Sequence, residues 1–109
     1  MNLEKLKNMR SFKHDWNGFG ADAFTESSLL WFEKVINSLK EQPEIAPTGR
    51  NSLYMQYKSD DGSMLAFELS ENRAEKVYVP EGDYNKIETE IITSDICEQI
   101  NDCVVRFYG

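Results

Sequence analysis

Few residues of this chain have the type and spacing that catalysis or metal binding requires. His14 is the only histidine, so a zinc site or a catalytic triad would have to be built around one imidazole. Asp15, Asn17, Asp22 and Glu26 carry oxygen ligands, but they lack the alternating spacing and the terminal bidentate glutamate of a calcium loop. We therefore expect no metal, no cofactor and no enzymatic activity, and a capping or loop hydrogen-bonding role for His14.

Two further motifs suggest chemistry that their surroundings disfavour. Gly18 and Gly20 flank a phenylalanine, whereas a phosphate-binding loop needs a preceding strand and a lysine, and the bulky ring would obstruct a phosphate. Cys97 and Cys103 fall in one predicted helix and lie about 240° apart around it, so they should not form a disulfide with each other. Free thiols are typical of a cytoplasmic protein.

Carboxylates are the one chemical group that the chain concentrates. The net charge is +1 over residues 1–58 and −8 over residues 59–109. Two of these acids share one face of a predicted strand, and three fall at i, i+3 and i+7 on one face of a predicted helix. We call these five residues the acidic set and predict that they bind a partner: Glu88, Glu90, Asp95, Glu98 and Asp102.

Such a charge distribution restricts the class of partner. Direct nucleic-acid binding is disfavoured, because it needs lysines and arginines that neutralise phosphates. A protein with a basic surface is favoured, since complementary charge speeds association and contributes specificity. The alternative is that these carboxylates only keep the surface solvated.

Two segments in the first half of the chain have the period of an amphipathic helix. The first covers residues 2–12, and the second covers residues 25–41, with Thr25 as its N-cap and Pro43 ending it. The second segment has the broadest apolar stripe, and Trp31 widens it. The stripe consists of Leu29, Phe32, Ile36 and Leu39.

Beyond an extended connector at residues 43–50, the apolar pattern alternates with a period of two. Turn residues separate four such runs, which predicts a four-stranded antiparallel meander. The runs are 53–57, 64–69, 74–79 and 86–93.

A last helix follows, with Thr93 or Ser94 as its cap and Asp95 in its first turn. The predicted fold is therefore a single α+β domain over residues 1–109, with the element order α-α-β-β-β-β-α and helices covering the sheet. The predicted apolar face of this last helix consists of Ile96, Cys97, Ile100, Cys103, Val104 and Phe107.

The stretch from His14 to Phe24 packs aromatic rings among glycines, which we interpret as a turn fastened onto the second helix. Together with the Pro43 to Thr48 connector, its Trp16-Asn17-Gly18-Phe19-Gly20-Ala21 run resembles a family of small phage- and mobile-element-associated proteins. Members of that family share an N-terminal Trp-x-x-(Tyr/Phe)-Gly-Ala motif. The resemblance covers about residues 14–79. The resemblance implies that the chain originates among mobile elements and conflict systems. It implies no active site.

These observations predict a small, acidic, cytoplasmic protein that binds and neutralises another protein. The expected target is a bacterial toxin, as for an antitoxin or immunity protein, or a defence effector such as a CRISPR–Cas complex, as for an anti-CRISPR. An acidic face could occlude the basic nucleic-acid channel of such a protein. No apolar run approaches the ~20 residues of a membrane span, so we expect no membrane partner. The alternative is a structural or assembly subunit that self-associates as a homo-oligomer.

Overall fold

The computed structural model describes residues 2–9, 24–48 and 51–108. The predictions for His14, for Asp15, Asn17 and Asp22, and for the aromatic–glycine stretch up to residue 23 lie outside the described residues. Two short 3-10 turns, Pro80–Gly82 and Tyr84–Lys86, precede the last strand. The other elements of the described chain are α1 Asn2–Met9, α2 Glu26–Ser38, β1 Glu44–Pro47, β2 Leu53–Lys58, β3 Met64–Ser70, β4 Arg73–Val79, β5 Glu88–Ile92 and α3 Ile96–Tyr108.

The fold is α+β with an antiparallel sheet, as predicted, but the sheet has five strands rather than four. The additional strand is β1, which the sequence suggested was a connector. It pairs antiparallel with β2, so that Ile45 lies opposite Met55 and Pro47 opposite Leu53. Proline is tolerated here because β1 is an edge strand. The spatial order β1-β2-β3-β4-β5 follows the chain, which makes the sheet a meander.

One face of the sheet packs against the helices and forms the core. Paired residues of antiparallel strands point to the same side, so the register identifies a continuous apolar layer. The buried members of this layer are Ile45, Leu53, Met55, Tyr57, Leu65, Phe67, Leu69, Ala74 and Ile92. They join one core cluster with apolar side chains of all three helices. Side chains of the other face, such as Ala66 and Val77, are not part of this cluster.

Helix α2 begins as predicted and ends three residues earlier than predicted. The Thr25 hydroxyl accepts a hydrogen bond from the Ser28 backbone N–H at 3.3 Å, which is the geometry of an N-cap. At the other end, Gln42 Nε2 donates to the carbonyls of Ile36 and Leu39 at 3.0 and 3.2 Å. This side chain satisfies carbonyls that a longer helix would have paired, so the helix ends at Ser38.

Helix α3 begins at Ile96, one residue later than a Ser94 cap predicts and two later than a Thr93 cap predicts. Asp95 is not in its first turn but directly before it, with a left-handed φ of 49°. The Asp95 carbonyl accepts the first helical hydrogen bond, from the Gln99 N–H at 2.9 Å. Aspartate tolerates the left-handed region better than most residues. Both cysteines are free, with Cys103 buried and Cys97 half-buried.

Candidate partner-binding surface

The two acids of β5 lie on the helix-covered side of the sheet, at its edge. Register places Glu88 opposite Tyr78 and Glu90 opposite Lys76. Both carboxylates are exposed although their face is the core face. This is possible because β5 is the last strand of the sheet. As the sequence predicted, the two side chains therefore share one face.

The three acids of the α3 region point away from the core. Ile96, Ile100, Cys103 and Val104 are the buried residues of α3. The acids lie on the opposite side of the helical wheel from these residues and are exposed. They are Asp95, directly before the helix, and Glu98 and Asp102 within it. Since α3 follows β5 directly in the chain and packs on the same sheet face, all five members of the acidic set lie on neighbouring elements.

The C-terminal end of α3 meets the sheet at a cavity of about 260 Å³, which we call the C-terminal cavity. Glu88 lines it, but so do the cations Lys76 and Arg106. The Phe107 and Tyr78 rings form one wall, edge to face with centroids 6.2 Å apart. This end of the acidic set is therefore of mixed charge.

The start of α3 borders a larger cavity of about 420 Å³, which we call the Trp31 cavity. Asp95 and Glu98 line it, together with Trp31 and Lys34 of α2. The Lys34 ammonium lies 5.7 Å from the centroid of the Trp31 ring, within the range of a cation–π contact. The remaining lining residues are Asn72, Thr93, Ile96 and Cys97.

Sequence reasoning missed this cavity because its walls come from distant parts of the chain. Trp31 is contributed by α2, Asn72 by the turn between β3 and β4, and Glu98 by α3. The only signal was the position of Trp31 at the margin of the apolar stripe, where a ring is half-buried rather than enclosed. The structure thus places Glu88 at the cavity near the end of α3 and Asp95 and Glu98 at the cavity near its start, while Glu90 and Asp102 line neither of them.

The resolved pKa shifts lie away from the acidic set. Burial, followed by the charges of Tyr108 and Glu41, raises the pKa of Tyr57 well above its ordinary value. A hydrogen bond from the Ser59 hydroxyl, followed by one from the Ser63 backbone N–H, lowers the pKa of Asp61. These groups tie loops to the sheet, so their shifts reflect the fold and do not indicate catalysis.

The described part of the chain holds no group of three or more His, Cys, Asp and Glu side chains arranged to bind a metal ion. Within the same residues, no helix has the length and apolar character needed to cross a bilayer. Among the described residues, the candidate binding features on the acidic side are the surface carboxylates and the two cavities that some of them line.

Comparison with known proteins yields no relative. No family model, curated protein or solved structure matches the chain. Any functional argument must therefore be made from the surface of this molecule.

Proposed function

We propose that this protein is a non-enzymatic inhibitor that binds a basic surface of another protein through the acidic set. The observation that carries the proposal is the exposure of all five carboxylates on adjacent elements, β5 and the α3 region. They belong to the half of the chain with a net charge of −8. An excess of negative charge on a small protein attracts a partner of opposite sign and orients it during approach.

The targets that fit this chemistry are proteins whose own ligands are polyanions. Toxins that cut nucleic acids and nucleic-acid-guided defence complexes such as CRISPR–Cas have basic channels, and a row of carboxylates can occupy such a channel in place of phosphates. We propose with it the phage or mobile-element origin that the sequence resemblance implies, and a cytoplasmic site of action.

The same carboxylates also have structural roles, and a test of partner binding must be able to distinguish binding from them. Asp95 and Glu98 lie at the N-terminus of α3, where negative charge favours the helix by about 0.3–1 kcal/mol each. Glu88 and Glu90 lie on an edge strand, where charged side chains discourage pairing with another chain. Each of these roles belongs to single acids, so a test of binding must change the whole set and not its single members.

A pair of matched variants tests the proposal. Both variants replace five exposed acids by their amides and change the net charge from −7 to −2. The first replaces the acidic set: Glu88→Gln, Glu90→Gln, Asp95→Asn, Glu98→Gln and Asp102→Asn. The control replaces exposed acids elsewhere: Glu41→Gln, Glu44→Gln, Asp60→Asn, Glu71→Gln and Glu81→Gln.

The measurement begins with affinity capture from a lysate of the source cells. A true target is retained by the wild type and by the control variant and is lost from the acidic-set variant. With the purified target, the wild-type affinity should fall with increasing salt, and the acidic-set variant should show a weaker salt dependence. Equal binding by the two variants would refute the acidic-set mechanism.

Self-association as an assembly subunit is the second candidate, and one observation favours it. On the edge strand β5, Ile91 lies on the sheet face opposite the core and is 55% exposed, and Tyr84 in the turn before this strand is 68% exposed. Edge strands and apolar patches are common self-association surfaces. Size-exclusion chromatography with light scattering decides: a stable dimer supports this candidate, and a monomer at high micromolar concentration excludes it.

A further inference from the structure

We infer that the Trp31 cavity receives an arginine side chain of the basic partner. This inference rests on the proposed function and specifies it, because it names the group that would anchor the partner. The cavity is the larger of the two that the acidic set borders, at about 420 Å³ against 260 Å³. Binding energy at protein interfaces concentrates in a few anchors that fill pockets, and Trp and Arg are enriched among them.

The aromatic wall of the cavity already attracts a cation. Trp31 is half-buried, and the exposed Lys34 places its ammonium 5.7 Å from the ring centroid. The ring face is therefore accessible to a positive group from the cavity side. A partner cation arriving there would displace the Lys34 ammonium, which can move back into water because its side chain is long and exposed.

The carboxylates of the cavity are available to such a cation. Asp95 and Glu98 are exposed, and neither forms an ion pair with Lys34 or with any other described residue. Asn72, held in the β3–β4 turn with a φ of 58°, adds an amide group to the rim. The N-terminus of α3 opposes a cation with about half a positive charge, which is less than the two full negative charges beside it.

Arginine fits these groups better than lysine does. Its planar guanidinium stacks on an indole ring and directs several N–H donors in fixed directions, so that one group can serve a ring and two carboxylates together. Lysine presents a compact and strongly hydrated charge that satisfies one of these partners at a time. The C-terminal cavity is unsuitable for the same guest, because Lys76 and Arg106 would repel it.

An NMR titration with a small probe tests the inference without any target protein. The probe is N-acetyl-L-arginine amide, and the matched control is N-acetyl-L-citrulline amide, which has the same shape and no charge. We expect the arginine probe to shift the Trp31 indole signal and the backbone amides of residues 93–98. A Trp31→Phe variant assigns the indole signal. The citrulline probe should cause no such shifts.

Paired variants separate the cavity from the general negative charge. Asp95→Asn with Glu98→Gln should weaken the arginine probe at least about three-fold. Glu88→Gln with Glu90→Gln removes the same charge outside the cavity and should change the affinity less than about two-fold. Lys34→Gln frees the ring face and should strengthen binding about two- to five-fold.

Three results would overturn the inference: equal binding of the citrulline probe, equal weakening by the two double variants, or weaker binding by Lys34→Gln. The test also separates this inference from the proposed function. If the probe fails while the acidic-set variant still loses its target, the arginine anchor is wrong and the acidic surface stands. If the probe binds as expected while the acidic-set variant keeps its target, the inhibitor proposal fails and a guanidinium site remains.

Discussion

At the level of single residues, Tyr57 shows how one buried polar group secures a loop. Its side chain is 3% exposed, and its hydroxyl donates to the Glu41 carbonyl at 2.7 Å. The bond joins β2 to the segment that follows α2. Tyr57→Phe should lower the free energy of unfolding at pH 7 by about 0.5–1.5 kcal/mol, the usual cost of one such bond. Urea denaturation of the two proteins measures this difference, and no loss would mean that the bond contributes nothing.

The same hydroxyl predicts a loss of stability in alkali. The pKa of Tyr57 in the folded protein is raised, mainly by burial, so the folded state holds its proton more tightly than the unfolded state does. The resulting stability is fully present below the ordinary tyrosine pKa of about 10 and is lost as the pH rises above it. Wild-type stability should therefore fall from pH 10 to 11.

The Tyr57→Phe variant is the control for this alkaline effect. Its stability should fall less steeply over the same range, with a remaining slope from Tyr54 and Tyr108, whose pKa values burial also raises. Urea denaturation at several pH values gives both slopes. Parallel slopes would show that Tyr57 does not control the alkaline transition.

At the level of elements, Asn101 joins the end of α2 to the middle of α3. Its amide donates to the Ser38 and Cys97 carbonyls at 2.9 and 3.1 Å, and its oxygen accepts from the Lys40 N–H at 3.1 Å. Asn101→Ala removes all three bonds and should cost about 1–3 kcal/mol of stability, since it leaves backbone groups near the helix end unpaired.

Helix α2 offers a matched control for this change. Asn37 is an exposed asparagine whose side chain forms no hydrogen bond with the described residues, so Asn37→Ala should stay within about 0.5 kcal/mol of the wild type. Chemical denaturation of both variants makes the comparison. Similar losses in the two would mean that the cost comes from the helix surface and not from the link between helices.

These elements also show what sequence patterns can predict. The Thr25 cap and the alternation along β2 and β3 are local signals, and local rules place them correctly. Strand β1 has only four residues and ends in a proline, too short for its alternation to differ from that of an extended loop. Whether a half-buried Trp31 meets Asp95 depends on how α2 and α3 pack, which no local pattern encodes.

At the scale of the whole molecule, the clustered acids should make stability depend on salt. The radius of gyration is 14.1 Å, whereas charges act over about 30 Å at 0.01 M salt and about 8 Å at 0.15 M. At low salt the carboxylates of β5 and α3 therefore repel one another, because the range of the charges exceeds the radius of gyration of the molecule. The unfolding temperature should rise as salt increases between these two concentrations.

The two five-acid variants show whether clustering causes this effect. Both reach a net charge of −2, but only one removes neighbouring charges, so the acidic-set variant should lose more of the salt dependence than the control. Asp95 and Glu98 also interact favourably with the start of α3. Salt screens this interaction too, which opposes the rise of the unfolding temperature with salt. Thermal melts at both salt concentrations measure the balance. Identical salt dependence in the two variants would mean that the acids do not act as a cluster, and the proposed inhibitor would then lose its electrostatic basis.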